Sequence, residues 1–160
     1  MTSPNTARAL VAACLFWLAP AAYAESCDPT EIEVRDNGVS ARFDIEVAIS
    51  PAEQAKGLMF RESMPQFAGM LFIYDAPHRV SFWMKNTLIP LDMLFIDSRG
   101  VVQRIHENAV PLSTATIPGG SGIQYVLEIN GGVSAMLGFS EGAEIRYSGV
   151  SQKNAVWPCE

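Results

Sequence analysis

Basic residues, histidine and cysteine are all scarce in this chain, and each shortage removes a class of function. Eleven Lys plus Arg stand against 17 Asp plus Glu in 160 residues, a net charge of −6, and the cations never form a run. A binder of the phosphate backbone gathers lysine and arginine on one face, so nucleic acid is not an expected partner. Two histidines are present. His78 sits in the turn-like Asp75-Ala76-Pro77-His78-Arg79 and His106 in a strand-like run near Arg104 and Glu107, without the paired spacing of a zinc or two-histidine, one-carboxylate site. No Gly-x-Ser-x-Gly elbow marks a serine hydrolase. Gly119-Gly120-Ser121-Gly122 lacks the lysine and the strand-to-helix setting of a phosphate loop. Six methionines besides Met1 (Met59, Met64, Met70, Met84, Met93 and Met136) offer thioethers to copper(I) on paper. Met70, Met84 and Met93 fall in apolar strands, where methionine is ordinary core filler. Neither a metal nor a cofactor is expected.

The first 24 residues carry the features of an export signal. Arg8 supplies a positive charge, Ala9 to Leu18 an apolar stretch and Ala22-Tyr23-Ala24 a small-x-small cleavage site. The apolar stretch is shorter than the roughly 20 residues that cross a bilayer, and Pro20 interrupts it, so no membrane span is expected once the signal is removed. The mature chain then begins at Glu25 with 10 Lys plus Arg against 17 Asp plus Glu. Residues 25–160 suffice for a single domain, since a chain of about 150 residues buries about two thirds of its unfolded surface. A monomer secreted across the inner membrane into the periplasm is the expectation.

Cysteine usage agrees with export. Of three cysteines, Cys14 lies in the signal, which leaves Cys27 and Cys159 near the two ends of the mature chain. In an oxidising compartment the pair is expected to form a disulfide that ties down both tails. The competing reading, a reactive thiol, lacks a Cys-x-x-Cys pair.

The dominant period between the tails is two, the mark of half-buried strands. From Val39 to Ile49 the odd positions are apolar, whereas Ser40, Arg42, Asp44 and Glu46 occupy even ones. The same alternation runs through Ile123 to Asn130 and Ala143 to Ser148. Strand-like runs also occur at Met70 to Tyr74, Val80 to Asn86, Leu91 to Ile96 and Val101 to His106. The pattern predicts a mainly β chain, a compact antiparallel barrel or sandwich of about seven or more strands. One or two short helices complete it. Ser50-Pro51-Ala52-Glu53 has the form of a capping box and starts one from Pro51 to about Leu58, and Gly132 and Gly138 bracket a single turn at Val133 to Leu137.

Chemistry concentrates in Phe82-Trp83-Met84-Lys85-Asn86-Thr87-Leu88-Ile89-Pro90-Leu91-Asp92. If the flanking runs form a hairpin around Thr87 to Pro90, Lys85 pairs with Asp92, Met84 with Met93, Trp83 with Leu94 and Phe82 with Phe95. A Lys85–Asp92 pair beside Trp83 reads either as an acid-base or anion site or as a structural ion pair that sets the register.

Four segments occur in order: Gln54-x-x-Gly57-Leu58-Met59-x-Arg61, Gly69-Met70-Leu71-Phe72, the Phe82 to Asp92 run, and Val126-Leu127-Glu128-x-Asn130-x-Gly132. Together they closely resemble the family domain of unknown function 192 over about Val34 to Val150. The resemblance implies a compact, mainly β domain, found in bacteria and archaea, with no established activity. Cys27 and the Trp157-Pro158-Cys159 tail lie outside it. The motif singles out Arg61, Lys85, Asn86, Asp92, Glu128 and Asn130, more polar groups than a plain β core needs. Some have structural readings: Asn86 and Asn130 at turns, Arg61 bridged to Glu128 or Asp92. The expectation is that several converge on a shallow polar pocket beside Trp83.

Two functions fit. One is an envelope binding or accessory module holding a glycan, peptide or small polar ligand through Arg61, Trp83, Lys85, Asn86 and Asn130. The other is a small hydrolase or lyase with Lys85, Asp92 and Glu128 as acid-base groups; glycoside chemistry would set two carboxylates about 5 to 9.5 Å apart across a cleft.

Overall fold

The computed structural model describes residues 27–159. The expected signal, residues 1–24, and Cys14 lie outside the described residues. Two strands open the fold, β1 (Glu31–Asp36) and β2 (Val39–Ala48). They meet at Asn37-Gly38, where both residues have positive φ; an Asn-Gly turn of this kind matches the twist of a two-residue hairpin. Helix α1 (Pro51–Lys56) follows behind the expected capping box: Ser50 Oγ accepts from the Glu53 backbone N–H and the Glu53 carboxylate accepts from the Ser50 N–H. Gly57, at φ +48°, stops it two residues before the expected end.

The remaining elements are β3 (Ala68–Phe82), β4 (Leu91–Asp97), β5 (Val102–Ala109), β6 (Ile117–Asn130), α2 (Val133–Leu137) and β7 (Glu144–Arg146). The seven strands form one sheet in the order β5-β4-β6-β3-β2-β1-β7. All neighbours are antiparallel except β2 and β3, whose parallel pairing follows the crossover through α1. Val101 bridges to Glu144, and the Ile145 N–H donates to the Gly100 carbonyl. The start of β5 thereby meets β7, and the sheet curls into a half-barrel. One apolar cluster, drawn from every strand, fills the enclosed side. A second lies on the other face of β3, β4 and β6, under α1 and the loops around Met84 and Ile117.

The mainly β expectation holds, with two corrections to its parts. Met70 to Tyr74 and Val80 to Phe82 belong to one long strand with register shifts near Ile73, His78 and Val80, whereas Trp83 to Asn86, expected to continue it, lie beyond its end, and β1 is a strand that the alternation did not single out. The proposed hairpin does not form. β6 lies between β3 and β4, pairing Phe82 with Ile117 and Leu94 with Leu127. Val126 to Ile129 is buried on both faces, so this stretch takes the centre of the sheet and supplies hydrogen bonds to both partners. Phe82 still approaches Phe95, but by ring contact at 5.9 Å.

Cys27 and Cys159 are joined in a disulfide with their Cα atoms 5.6 Å apart. The tail it holds is docked further by Trp157, whose ring receives the Arg35 and Arg146 guanidinium groups at 4.2 and 5.1 Å.

Candidate functional site

Cross-strand register separates the two carboxylates that the sequence grouped together. Asp92 on β4 lies opposite Ile129 of β6, and Met93 lies opposite Glu128. Facing residues share a side of the sheet and successive residues alternate, so Asp92 points into the enclosed side and Glu128 into the outer cluster. Carboxylates on opposite faces cannot flank one glycosidic bond, which removes the two-acid arrangement.

Asp92 is fully buried and saturated. Its Oδ1 accepts from the backbone N–H groups of Asn108 and Gly132 at 2.8 and 2.9 Å, and its Oδ2 from that of Ser134 at 2.8 Å. It ties β5 and the start of α2 to β4. The expected Lys85–Asp92 pair is absent because Lys85 has left the sheet by then: the chain turns at Asn86, φ +57°, and the Thr87 N–H donates to the Met84 carbonyl. Lys85 is exposed, with Nζ 5.2 Å from the centre of the Trp83 ring.

Arg61 reaches neither Glu128 nor Asp92. It forms a two-point ion pair with Glu46 of β2 at 2.5 and 2.9 Å. Asn130 ties β6 to the loop that precedes β3 by donating to the Pro65 carbonyl at 2.8 Å, and does not cap its own turn. Asn86 accepts the Phe60 N–H on its carbonyl.

Glu128 remains. It is 4 % exposed, and its sheet neighbours on the two sides are Met70 and Met93. No described group donates a hydrogen bond to its carboxyl, and burial alone pushes its pKa from 4.5 up to about 8. The carboxyl lines a cleft of about 200 Å³ whose mouth carries Trp83, half exposed. Phe72, Tyr74 and Phe82 supply further aromatic wall, and Gln54, Ser81 and Thr87 supply polar groups. Burial and the nearby Glu128 charge push the Tyr74 phenol up to about 12.

Helix α1 forms one wall, and Gln54 fixes it by donating to the Ile73 carbonyl at 2.8 Å. Gly57 forms the lip: a Cβ there would stand 3.2 Å from the Phe72 ring and 4.0 Å from a Glu128 carboxyl oxygen, so a side chain would narrow the entrance. On the far side of Gly57 and Met59 lies a neighbouring cleft of about 530 Å³ that contains the Arg61–Glu46 pair. Of the six candidate binding and acid-base residues beyond Trp83, the Trp83 cleft thus gathers Glu128 alone. Gln54 and Gly57 belong to the motif but went unselected, and Tyr74 follows Phe72 on the same strand face. Among the described residues no group of three or more His, Cys, Asp or Glu could hold a metal ion, and no helix is long and apolar enough to cross a membrane.

Residues 32–147 match the model of the family described as "Uncharacterized ACR", domain of unknown function 192. The chain is similar to the crystal structure of a protein from Sinorhizobium meliloti 1021 proposed to be a transcription regulator. Identity is 40 %, the TM-score is 0.71, and the match covers 75 % of this chain and 94 % of the other. It is likewise similar to a protein of unknown function from Novosphingobium aromaticivorans DSM 12444, with 40 % identity and a TM-score of 0.70 over 72 % of this chain and 82 % of that one. No curated protein matches.

Proposed function

Because the chain belongs to the domain of unknown function 192 family, whose description carries no reaction, we propose from the site that it is an exported, monomeric binding or accessory module of the cell envelope, holding a small polar ligand in the cleft between α1 and β3. The carrying observation is Glu128, a buried carboxyl with no described hydrogen-bond donor, at a cleft that Trp83 borders. An unmatched buried polar group costs folding free energy, and such a cost is concentrated at functional sites. The amphipathic ring of Trp83 is suited to an incoming ligand.

Export is supported by the character of residues 1–24 and by the Cys27–Cys159 bond, a linkage that persists in oxidising compartments. A regulator role like that proposed for the S. meliloti protein draws no support from a net charge of −6. Fractionation of a diderm bacterial host expressing the full chain is expected to place it in the periplasm with a mass beginning at Glu25; an uncleaved cytoplasmic product would overturn export. Screening sugars, dipeptides and small polar compounds by calorimetry is expected to find binders that Trp83→Ala weakens, and binding indifferent to that change would overturn the site.

One observation favours the second reading, a small hydrolase or lyase. A carboxyl held at about 8 is protonated at neutral pH and can serve as a general acid. That reading now rests on Glu128 without Lys85 or Asp92, and turnover of chromogenic esters or glycosides that Glu128→Gln abolishes would establish it.

A further inference from the structure

The nature of the ligand follows from what the cleft offers and what it lacks. Its wall includes the four rings of Phe72, Tyr74, Phe82 and Trp83. Aromatic faces attract cations through the ring quadrupole, and desolvated sites strengthen the effect. The acid in the cleft, Glu128, is buried without a described partner, so an entering cation would supply the counter-charge that the protein does not. Among the described residues the wall carries one cation, Lys56, which is exposed at the end of α1 and whose charge acts on Glu46 in the neighbouring cleft. Trp83 already receives an ammonium group, that of Lys85 at 5.2 Å. A volume of about 200 Å³ is below the roughly 300 to 1,000 Å³ of drug-sized sites, which suits a single small head group better than a sugar ring with its neighbours.

Resting on the ligand-cleft reading above, we propose that the cleft binds a small organic cation, an alkylammonium or quaternary ammonium group, among the rings of Phe72, Tyr74, Phe82 and Trp83 with its charge toward the Glu128 carboxyl. Among the described residues the other ionisable groups facing Glu128 are Tyr74 from β3, held neutral by its raised pKa, and Lys56 from α1; β4 contributes Met93, and the pair of Glu46 on β2 with Arg61 beyond α1 lies in the adjoining cleft. With burial pushing the Glu128 carboxyl up to about 8, a cation that pairs with it at neutral pH displaces its proton. Cation affinity is then expected to rise about tenfold per pH unit between pH 6 and about 8 and to level off above.

The test uses choline and its uncharged isostere 3,3-dimethyl-1-butanol with the mature disulfide-bonded protein, by Trp83 fluorescence and by calorimetry in buffers of differing ionisation enthalpy. The expected result is choline binding at least about tenfold tighter than the isostere at pH 8, with release of close to one proton at pH 6.5. Glu128→Gln is expected to abolish the preference for choline. If that variant does not fold, the pH slope of the unaltered protein and the loss of choline binding in Trp83→Ala decide the matter. Equal affinity for the two compounds, or choline binding that does not change between pH 6 and 8, overturns the cation. Binding of dimethylbutanol or sugars without choline refutes the cation but leaves the ligand cleft standing, whereas failure of every compound to perturb Trp83 removes both.

Discussion

Asp92 and Glu128 lie on neighbouring strands one register step apart, and both are almost wholly buried. Yet Asp92 faces the enclosed core and accepts three backbone N–H groups, whereas Glu128 faces the outer cluster between two methionines and accepts none from the described residues. Burial is therefore a poor guide to role, and the partners decide it. A carboxylate that closes backbone hydrogen bonds holds loops in place. One left without partners stores free energy that a ligand can recover.

The sharpest way to break this comparison is Asp92→Ala, which strands three N–H groups, two of them at the start of α2, and should cost roughly 3 to 9 kcal/mol at about 1 to 3 per orphaned donor. Thermal unfolding near neutral pH should fall by more than about 10 °C; a change of a degree or two would show Asp92 to be dispensable to the fold. Opening the disulfide with Cys27→Ser and Cys159→Ser loosens both faces alike. It closes a loop spanning 132 positions and should cost about 2 to 5 kcal/mol, leaving the pH dependence of unfolding that arises from Glu128 intact.

Glu128→Gln should act in the opposite direction. The folded-state pKa of about 8 lies above the ordinary 4.5, so its contribution to stability is intact below 4.5 and is lost progressively as pH rises to about 8. Denaturant titrations from pH 4.5 to 8.5 should show the wild-type protein losing about 3 to 5 kcal/mol from this group, and the variant a flatter profile that crosses above it at the alkaline end. Parallel profiles would mean that Glu128 is ionised and partnered after all. The smallest effect belongs to Arg61→Ala. Its pair with Glu46 is partly exposed and should contribute less than about 1 kcal/mol, with choline binding unchanged.

Much of the architecture was legible in local pattern. The period-two runs located most strands, the capping box located α1, and the two glycines located α2, because these signals depend on neighbours within one element. The end placement of Cys27 and Cys159 pointed to their bond. The hairpin was the main error. Phe82, Trp83, Met84, Met93, Leu94 and Phe95 look complementary at symmetric spacing, but apolar side chains match many partners, and β6 offered both strands a longer apolar ladder. The site was less legible for the same reason. Glu128 and Trp83 were both singled out, but their shared cleft depends on α1 lying across β3, which the Gln54 side chain secures through a carbonyl 19 residues away.

The run from Phe82 to Asp92 shows the division. By itself the sequence determined that these residues leave one strand, turn and begin another at Leu91, since backbone preference and alternation are set by adjacent residues. Tertiary structure alone decided that Lys85 faces solvent, that Asp92 enters the core and that Trp83 stands at a cleft containing Glu128. Which acid is partnered depends on what distant strands bring to it, and strand order is settled by the burial of the whole sheet rather than by any segment within it.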